Sequence, residues 1–146
     1  MALPFVSRNA LLEAEQQYIS LQQEFQNYRR RNESLAADSH LKGQLDAAKA
    51  LFPVYDNLLR ALSQPTEDEA FRKGIEMTME SLKKSFLSLH IQEIPALGEQ
   101  FDPTIHEAMD HITDPNLGEN TIASVVLTGF TREGTVLRHA LVVVAN

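Results

Sequence analysis

Five carboxylate and imidazole side chains fall within one stretch of ten residues, Asp102, His106, Glu107, Asp110 and His111. These are the groups that bind metal ions and transfer protons, so the cluster first suggests a metal site or an acid–base site. The spacing argues against both. The two histidines are five residues apart, and a helix would not place them on one face.

Simpler structural roles account for the same residues. Asp102 precedes Pro103 and is typical of a turn, or of the N-cap of a short helix that begins near Thr104. His106 is interpreted as a packed, hydrogen-bonding residue. The sequence contains neither a serine in a glycine-flanked elbow nor a glycine-rich phosphate loop. We therefore predict no catalytic residue, no metal site and no cofactor, and we expect that the protein is not an enzyme.

The composition disfavours several other classes of protein. The 146 residues carry a formal net charge of −7, and Arg29–Arg31 is the single basic run, which argues against a nucleic-acid partner. No apolar run reaches about eighteen residues, so we expect no membrane span. Residues 1–6 do not resemble a signal peptide. Cysteine is absent, which fits a reducing environment, and we expect a cytoplasmic protein.

A long helix is predicted for the first part of the chain. Its apolar residues recur at alternating steps of three and four, which is the a/d spacing of a coiled coil. Asn32 occupies the one polar slot in a series made of Leu11, Ala14, Tyr18, Leu21, Phe25, Tyr28 and Leu35. A narrow seam of this kind needs a second helix, and we expect a second copy of the chain. Asn32 would fix the register of that pair, although a solvated helix residue is the simpler alternative.

The heptad frame shifts by one residue between residues 36 and 44. A second series continues the rhythm out of phase, through Leu41, Leu45, Ala48, Phe52, Tyr55, Leu59 and Leu62. Such a shift alters the supercoil locally, and Gly43 weakens the helix further. This suggests the hypothesis that the stretch melts reversibly and senses heat. Pro53 predicts a kink or a short restart of the helix.

A further helix is predicted from Thr66 to about His90, because Thr66 and Glu69 have capping-box spacing. Paired with residues 45–62 and doubled by dimerisation, it predicts a four-helix bundle. The residues that we expect to form the dimer are Leu21, Phe25, Tyr28, Asn32, Leu35, Phe52, Leu59, Ile75, Leu82 and Phe86.

The pattern changes to β structure after His90. Short strands are predicted near Ile91 and over Ile122–Phe130 and Val136–Val144, with a hairpin turn between the last two and a helical turn at 104–109. The β region is near the lower size limit for independent stability, so we expect it to lean on the helices.

The predicted fold class is α+β. It combines a long N-terminal coiled-coil helix, a helical hairpin forming a dimeric four-helix bundle, and a small C-terminal β domain. The predicted domains are residues 1–90, for dimerisation, and residues 91–146, for contact with a partner.

Five segments carry a resemblance to a known family through their order and spacing. They are Phe25–Arg31, Leu51–Leu62, Gly74–Thr78, Gly98–Ala108 and Gly129–Val144. Together they resemble the GrpE family, the nucleotide exchange factors of DnaK-type heat-shock chaperones. The resemblance implies a parallel homodimer whose β domain binds the nucleotide-binding domain of the chaperone and holds its cleft open, so that ADP leaves. It also implies that the paired helices can contact the substrate-binding domain.

The resemblance further implies three chaperone-binding residues. Val126 and Val144 match contact positions on the β domain, and Gly74 matches a bundle position close to the chaperone. The alternatives are burial in the β core for the two valines and tight helix packing for the glycine.

A fourth position on the hairpin departs from the family pattern. Thr135 stands where the family often has a basic residue, and Arg132 or Arg138 is the expected substitute in an ion pair with the chaperone. The alternative function is a coiled-coil adaptor whose β domain binds another protein. An assay of ADP release separates the two.

Overall fold

The computed structural model describes residues 7–146, in which three helices precede six strands. The chain divides into two units, one ending at Gly43 and the other spanning Gln44–Asn146. Across the described residues, none of the helices combines the length and apolarity that a membrane span requires. The elements are α1 Arg8–Ala50, α2 Phe52–Ser63, α3 Glu69–Ser88, β1 Ile91–Glu93, β2 His106–Ile112, β3 Thr121–Leu127, β4 Phe130–Arg132, β5 Thr135–Arg138 and β6 Ala140–Ala145.

The described part of the first unit, residues 7–43, is helical from Arg8 onward, as the apolar periodicity predicts. The hydroxyl of Ser7 caps α1 by accepting the N–H of Ala10 at 3.2 Å. Every residue from Ser7 to His40 is exposed, so this stretch has no core of its own.

The predicted restart of the helix is confirmed at Pro53. Helix α1 ends at Ala50 and α2 begins at Phe52, with Leu51 bridging them by an N–H bond to the carbonyl of Ala48. Pro53 lies in the first turn of α2, where its missing N–H would have had no helical partner.

The predicted start of the next helix is wrong by two residues. The N-cap of α3 is Asp68, whose carboxylate accepts the N–H of Phe71 at 2.9 Å. The hydroxyl of Thr66 instead accepts the N–H of Asp68. Thr66 therefore stabilises the turn that precedes the helix, and the capping box does not form.

The strands form two three-stranded sheets, β1-β4-β5 and β2-β6-β3. Strand β6 is central in the second sheet, parallel to β2 and antiparallel to β3. The predicted helical turn at 104–109 is misplaced, because a single turn closed by the N–H of His106 on the carbonyl of Asp102 at 2.8 Å leads directly into β2 at His106. The hairpin turn between β4 and β5 is confirmed, with Glu133 and Gly134 at φ of 48° and 82°.

Both long strands predicted near the C-terminus are interrupted, because the chain crosses from one sheet to the other. The first breaks at Thr128 and Gly129, and the second at His139. A Cβ at Gly129 would lie 2.8 Å from the Cα of Ala140, so only glycine fits this crossing.

A first hydrophobic cluster joins the helices to the sheet β1-β4-β5. Phe52 stacks on Phe130 with ring centroids 4.3 Å apart, and Phe86 meets Phe130 edge-on at 5.5 Å. Phe52 and Phe86 are each 3% exposed within a single chain. Their prediction as dimer contacts is wrong, since the chain's own aromatic rings cover them. The members are Ala48, Phe52, Tyr55, Met79, Phe86, Ile91 and Phe130.

This first cluster crosses residue 90, so the division into residues 1–90 and 91–146 does not separate two cores. The β region packs against α2 and α3, as its small size predicts. A second cluster lies under the sheet β2-β6-β3. It consists of Ile94, Ala96, Ile122, Ala140, Val142 and Val144.

Candidate functional site

The imidazole of His106 is a buried structural link, which confirms its interpretation. The side chain is 4% exposed. Its Nδ1 accepts the N–H of Asp102 at 3.1 Å, and its Nε2 lies 2.9 Å from the carbonyl oxygen of Pro95. Because Nδ1 accepts, the ring proton lies on Nε2 and is donated to Pro95. Both nitrogens are therefore engaged, and neither is available to a substrate.

Asp102 forms a turn and caps no helix. One carboxylate oxygen accepts the hydroxyl of Thr104 at 2.7 Å and its N–H at 2.8 Å. These two hydrogen bonds hold the pKa of Asp102 below its usual value. Glu107 and His111 are exposed on β2. Within residues 7–146, no three carboxylate or imidazole groups are arranged to hold a metal ion.

Val126 lies at the exposed edge of the sheet β2-β6-β3. It is 47% exposed, and its neighbour Val125 is 37% exposed, so neither belongs to the β core. The register of β3 on β6 shifts between Val125 and Leu127, which turns Val126 away from the regular pleat. A cleft of about 420 Å³ separates this edge from α2. Its lining residues are Asp56, Leu59, Arg60, Ser63, Val125, Val126, Leu127 and Thr128.

Val144 is corrected from a surface contact to a core residue. It is fully buried, because alternate residues of β6 point to opposite faces of the sheet and Val144 belongs to the second cluster. The partly exposed residues of β6 are Leu141 and Val143. The partly exposed face of this strand is therefore displaced by one residue from Val144.

Gly74 is exposed on α3, and a Cβ placed there would meet no atom within 4 Å. The described chain thus contains no close helix packing that requires a glycine at this position. The carbonyl of Gly74 accepts the hydroxyl of Thr78 at 2.9 Å. Its role as a chaperone contact stays a prediction.

The hairpin β4–β5 presents an uncharged residue beside a constrained arginine. Thr135 is exposed at the turn. Arg132 is 19% exposed, donates from Nε to the carbonyl of Leu89 at 3.1 Å, and lies 3.1 Å from the carboxylate of Glu133. Arg132 therefore ties the hairpin to the end of α3, and its charge is already paired.

Arg138 is corrected from a surface residue to an internal clamp. Its guanidinium donates two bonds of 2.7 Å to the two carboxylate oxygens of Asp56 on α2. It also donates to the carbonyl of Thr128 at 2.9 and 2.7 Å. The side chains of Arg138 and Asp56 are only 22% and 15% exposed. Arg138 therefore has no free charge to offer to a chaperone.

Two rings of the first cluster lie against this clamp. The guanidinium carbon lies 5.1 Å from the ring centre of Phe52 and 5.3 Å from that of Phe130. Sequence reasoning missed the pair, although Asp56 and Arg138 both lie in segments that resemble the family. The two are 82 residues apart, and no local signal connects them.

The helix α1 carries the exposed remainder of the predicted dimer surface. Leu21, Phe25, Tyr28 and Leu35 are 63%, 57%, 61% and 62% exposed. They lie in one a/d seam. Among the other predicted dimer contacts, Leu59 is 38% exposed, whereas Ile75 and Leu82 are partly buried.

Comparison with known proteins identifies similarity over almost the whole chain. The model of the GrpE family matches residues 7–146. Protein GrpE of Clostridium beijerinckii is 39% identical over 128 residues, which cover 88% of this chain and 61% of that protein. Protein GrpE of Clostridium acetobutylicum is 38% identical over 133 residues, which cover 91% and 66%. The chain thus spans less than two thirds of the length of these two relatives.

Proposed function

The chain belongs to the GrpE family, and we propose that it acts as a nucleotide exchange factor for a DnaK-type chaperone. In this proposal the unit Gln44–Asn146 binds the nucleotide-binding domain of the chaperone and favours its open cleft, so that ADP leaves faster. The protein acts by binding and uses no catalytic residue. The proposal places both proteins in the cytoplasm. The absence of cysteine agrees with this reducing compartment, in which disulfides are rare.

The observation that carries the proposal is the family match over residues 7–146, combined with the exposed edge at Val126. An apolar residue that is 47% exposed beside an open cleft is suited to a partner contact. Gly74 on α3 and Thr135 on the hairpin are the other proposed contacts, and Leu141 and Val143 replace Val144.

The physical basis of exchange is a shift between two states of the chaperone. A protein that binds only the open cleft raises its population and so raises the rate of ADP release. By linkage, whatever factor the protein takes off the affinity of the chaperone for ADP, ADP takes off the affinity of the chaperone for the protein. Excess nucleotide should therefore dissociate the complex.

The proposal includes a homodimer built on the seam of α1. Six large apolar side chains there are more than half exposed in the single chain, and covering them would release free energy of about 25 cal/mol per Å². Asn32 in the same seam would set the register of the two helices. In the dimer, these helices are also proposed to contact the substrate-binding domain of the chaperone.

Stopped-flow release of a fluorescent ADP analogue from a DnaK-type chaperone tests the function. We expect a large, dose-dependent acceleration by the wild-type protein, which an excess of nucleotide suppresses. Val126→Asp should raise the concentration needed for half-maximal acceleration by about tenfold or more, because it places a charge in an apolar contact. The matched control is Met109→Asp, on the opposite edge strand and 64% exposed, which should act as wild type.

A folded dimer that leaves the rate of ADP release unchanged would contradict the proposal. It would favour the adaptor function instead. Sedimentation analysis and circular dichroism establish the folded dimer before the kinetic result is interpreted.

A further inference from the structure

We propose that Arg138 is a positioning residue for chaperone binding, because its bonds to Asp56 and Thr128 hold the edge of β3 at a set distance from α2. The inference rests on the proposed function in one respect, because that function identifies the chaperone as the partner that Val126 binds. How Val126 is held follows from the contacts of this chain alone.

The guanidinium connects two elements across the cleft described above. Asp56 lies on α2, and Thr128 follows the last residue of β3, two positions after Val126. Both Asp56 and Thr128 line the cleft. The path from helix to contact residue therefore runs through four hydrogen bonds of 2.7 to 2.9 Å.

Packing alone does not set the width of this cleft. Helix α2 packs on α3, and β3 packs on β6, while about 420 Å³ of open space separates α2 from the end of β3. Phe130, two residues after Thr128, packs on Phe52 and Tyr55 and so brings the start of β4 against α2. Across the open space itself there is no contact force, so directional bonds are needed to hold the end of β3. The guanidinium supplies such bonds to both sides.

An arginine suits this role better than a lysine. Its planar fork meets both oxygens of Asp56 while another N–H reaches Thr128, and its face lies against the rings of Phe52 and Phe130. A lysine would keep the charge but would lose the two-oxygen geometry. Arg138→Lys is therefore a conservative variant that tests geometry more than charge.

The first experiment uses the protein without chaperone. Amide order parameters from nuclear magnetic resonance should fall in Arg138→Lys from about 0.85 to below about 0.6 over residues 126–129, because the edge loses its fixed anchor. The matched control is Arg72→Lys, which alters an exposed pair with Glu76 at 3.4 Å and should leave these values unchanged. Unchanged order parameters in Arg138→Lys would overturn the proposal.

The second experiment is a double-mutant cycle on chaperone affinity. Arg138→Lys and Val126→Ala should each weaken binding by about tenfold, and the double variant should be only slightly weaker than either one. In Arg138→Lys the loosened edge no longer holds Val126 against the chaperone. Replacing Val126 by Ala in that variant should therefore weaken chaperone binding very little. A purely structural role would give independent effects, with a combined loss of about a hundredfold, and that result would overturn the proposal.

Two further arms keep the outcomes distinct. If Arg138→Lys loses its β structure by circular dichroism, Asp56→Asn replaces it in both experiments, because it keeps the shape of the carboxylate and removes its charge. If the wild-type protein does not bind the chaperone, the proposed function fails. The order parameters then still decide whether Arg138 positions the edge.

Discussion

The two units of the chain use similar apolar residues in opposite ways. In the first unit, Phe25 and Tyr28 are 57% and 61% exposed, whereas in the second, Tyr55 and Phe130 are each 1% exposed. The reason is whether the unit contains a second surface that can cover the apolar side chains. A single helix with one seam has no second surface of its own to cover it, while helices and sheets together cover one another's faces.

This difference separates two kinds of stability. The fold of the second unit depends on its own aromatic cluster, so its unfolding should not depend on protein concentration. In the proposed dimer, the pairing of the first unit depends on a second chain, and its stability should rise with concentration by mass action. Four substitutions test this division.

The largest loss of stability is expected for Phe130→Ala in the second unit. This ring contacts Phe52, Tyr55 and Phe86, and its removal leaves a cavity that should cost about 3–5 kcal/mol. Urea unfolding followed by circular dichroism measures the change.

The control for this substitution is Phe71→Ala on α3. Phe71 is 62% exposed, so its removal should change the free energy of unfolding by less than about 0.5 kcal/mol. A loss of less than about 1 kcal/mol in Phe130→Ala would show that the second unit does not rely on its own core.

The next effect concerns the seam of the first unit. Phe25→Asp should raise the dissociation constant of the dimer by roughly a hundredfold, about 2.7 kcal/mol, because a charge would replace a large apolar contact. Sedimentation velocity over a range of concentrations measures this constant. Gln23→Asp, on the outer face of the same helix, should leave it unchanged. A loss of β structure in Phe25→Asp would contradict the independence of the two units.

A smaller loss is expected for His106→Ala, which removes a buried imidazole and leaves its two hydrogen-bond partners unpaired. The N–H of Asp102 and the carbonyl of Pro95 would lose their hydrogen bonds, at a cost of about 2 kcal/mol. His111→Ala, at an exposed position on the same strand, serves as the control in the same urea titration. Equal stability of the two variants would contradict the structural role of His106.

The smallest effect is a pH-dependent one at Asp102. Its pKa is lowered in the fold by Thr104, so the ionised carboxylate stabilises the fold at neutral pH. This contribution is lost as the pH falls below the ordinary value of about 3.9 and through the lowered pKa. Asp102→Asn should therefore be slightly less stable than wild type at pH 7, and the difference should shrink in acid. Urea unfolding of the two proteins at pH 7 and in acid measures this difference, and a gap that stays the same in acid would contradict the role of the ionised carboxylate.

Local features of this chain could be predicted because their causes lie within a few residues. The helix break follows from Pro53, and the turn at Asp102 follows from the side chain itself. The turn at Glu133 and Gly134 likewise follows from a glycine between two strand-like segments. The N-cap of α3 was wrongly predicted at Thr66 because Asp68, two residues later, is also a good N-cap residue.

The face of β6 could not be predicted, because Leu141–Val144 is apolar at every position. Without alternation, the sequence contains no signal for which side meets the core. Pairing of β6 with β2 and β3 decided that Val144 is buried and Val143 partly exposed.

By itself, the sequence determined the long helix, its restart, the turns and the membership of a family, since these depend on local spacing and ordered motifs. Only the tertiary structure decided which apolar side chains the chain covers for itself, as with Phe52 and Phe86, and which charges cancel internally, as with Asp56 and Arg138. Both depend on residues brought together from distant parts of the chain. A periodic pattern specifies that a face must be buried, but the identity of the covering surface is a property of packing.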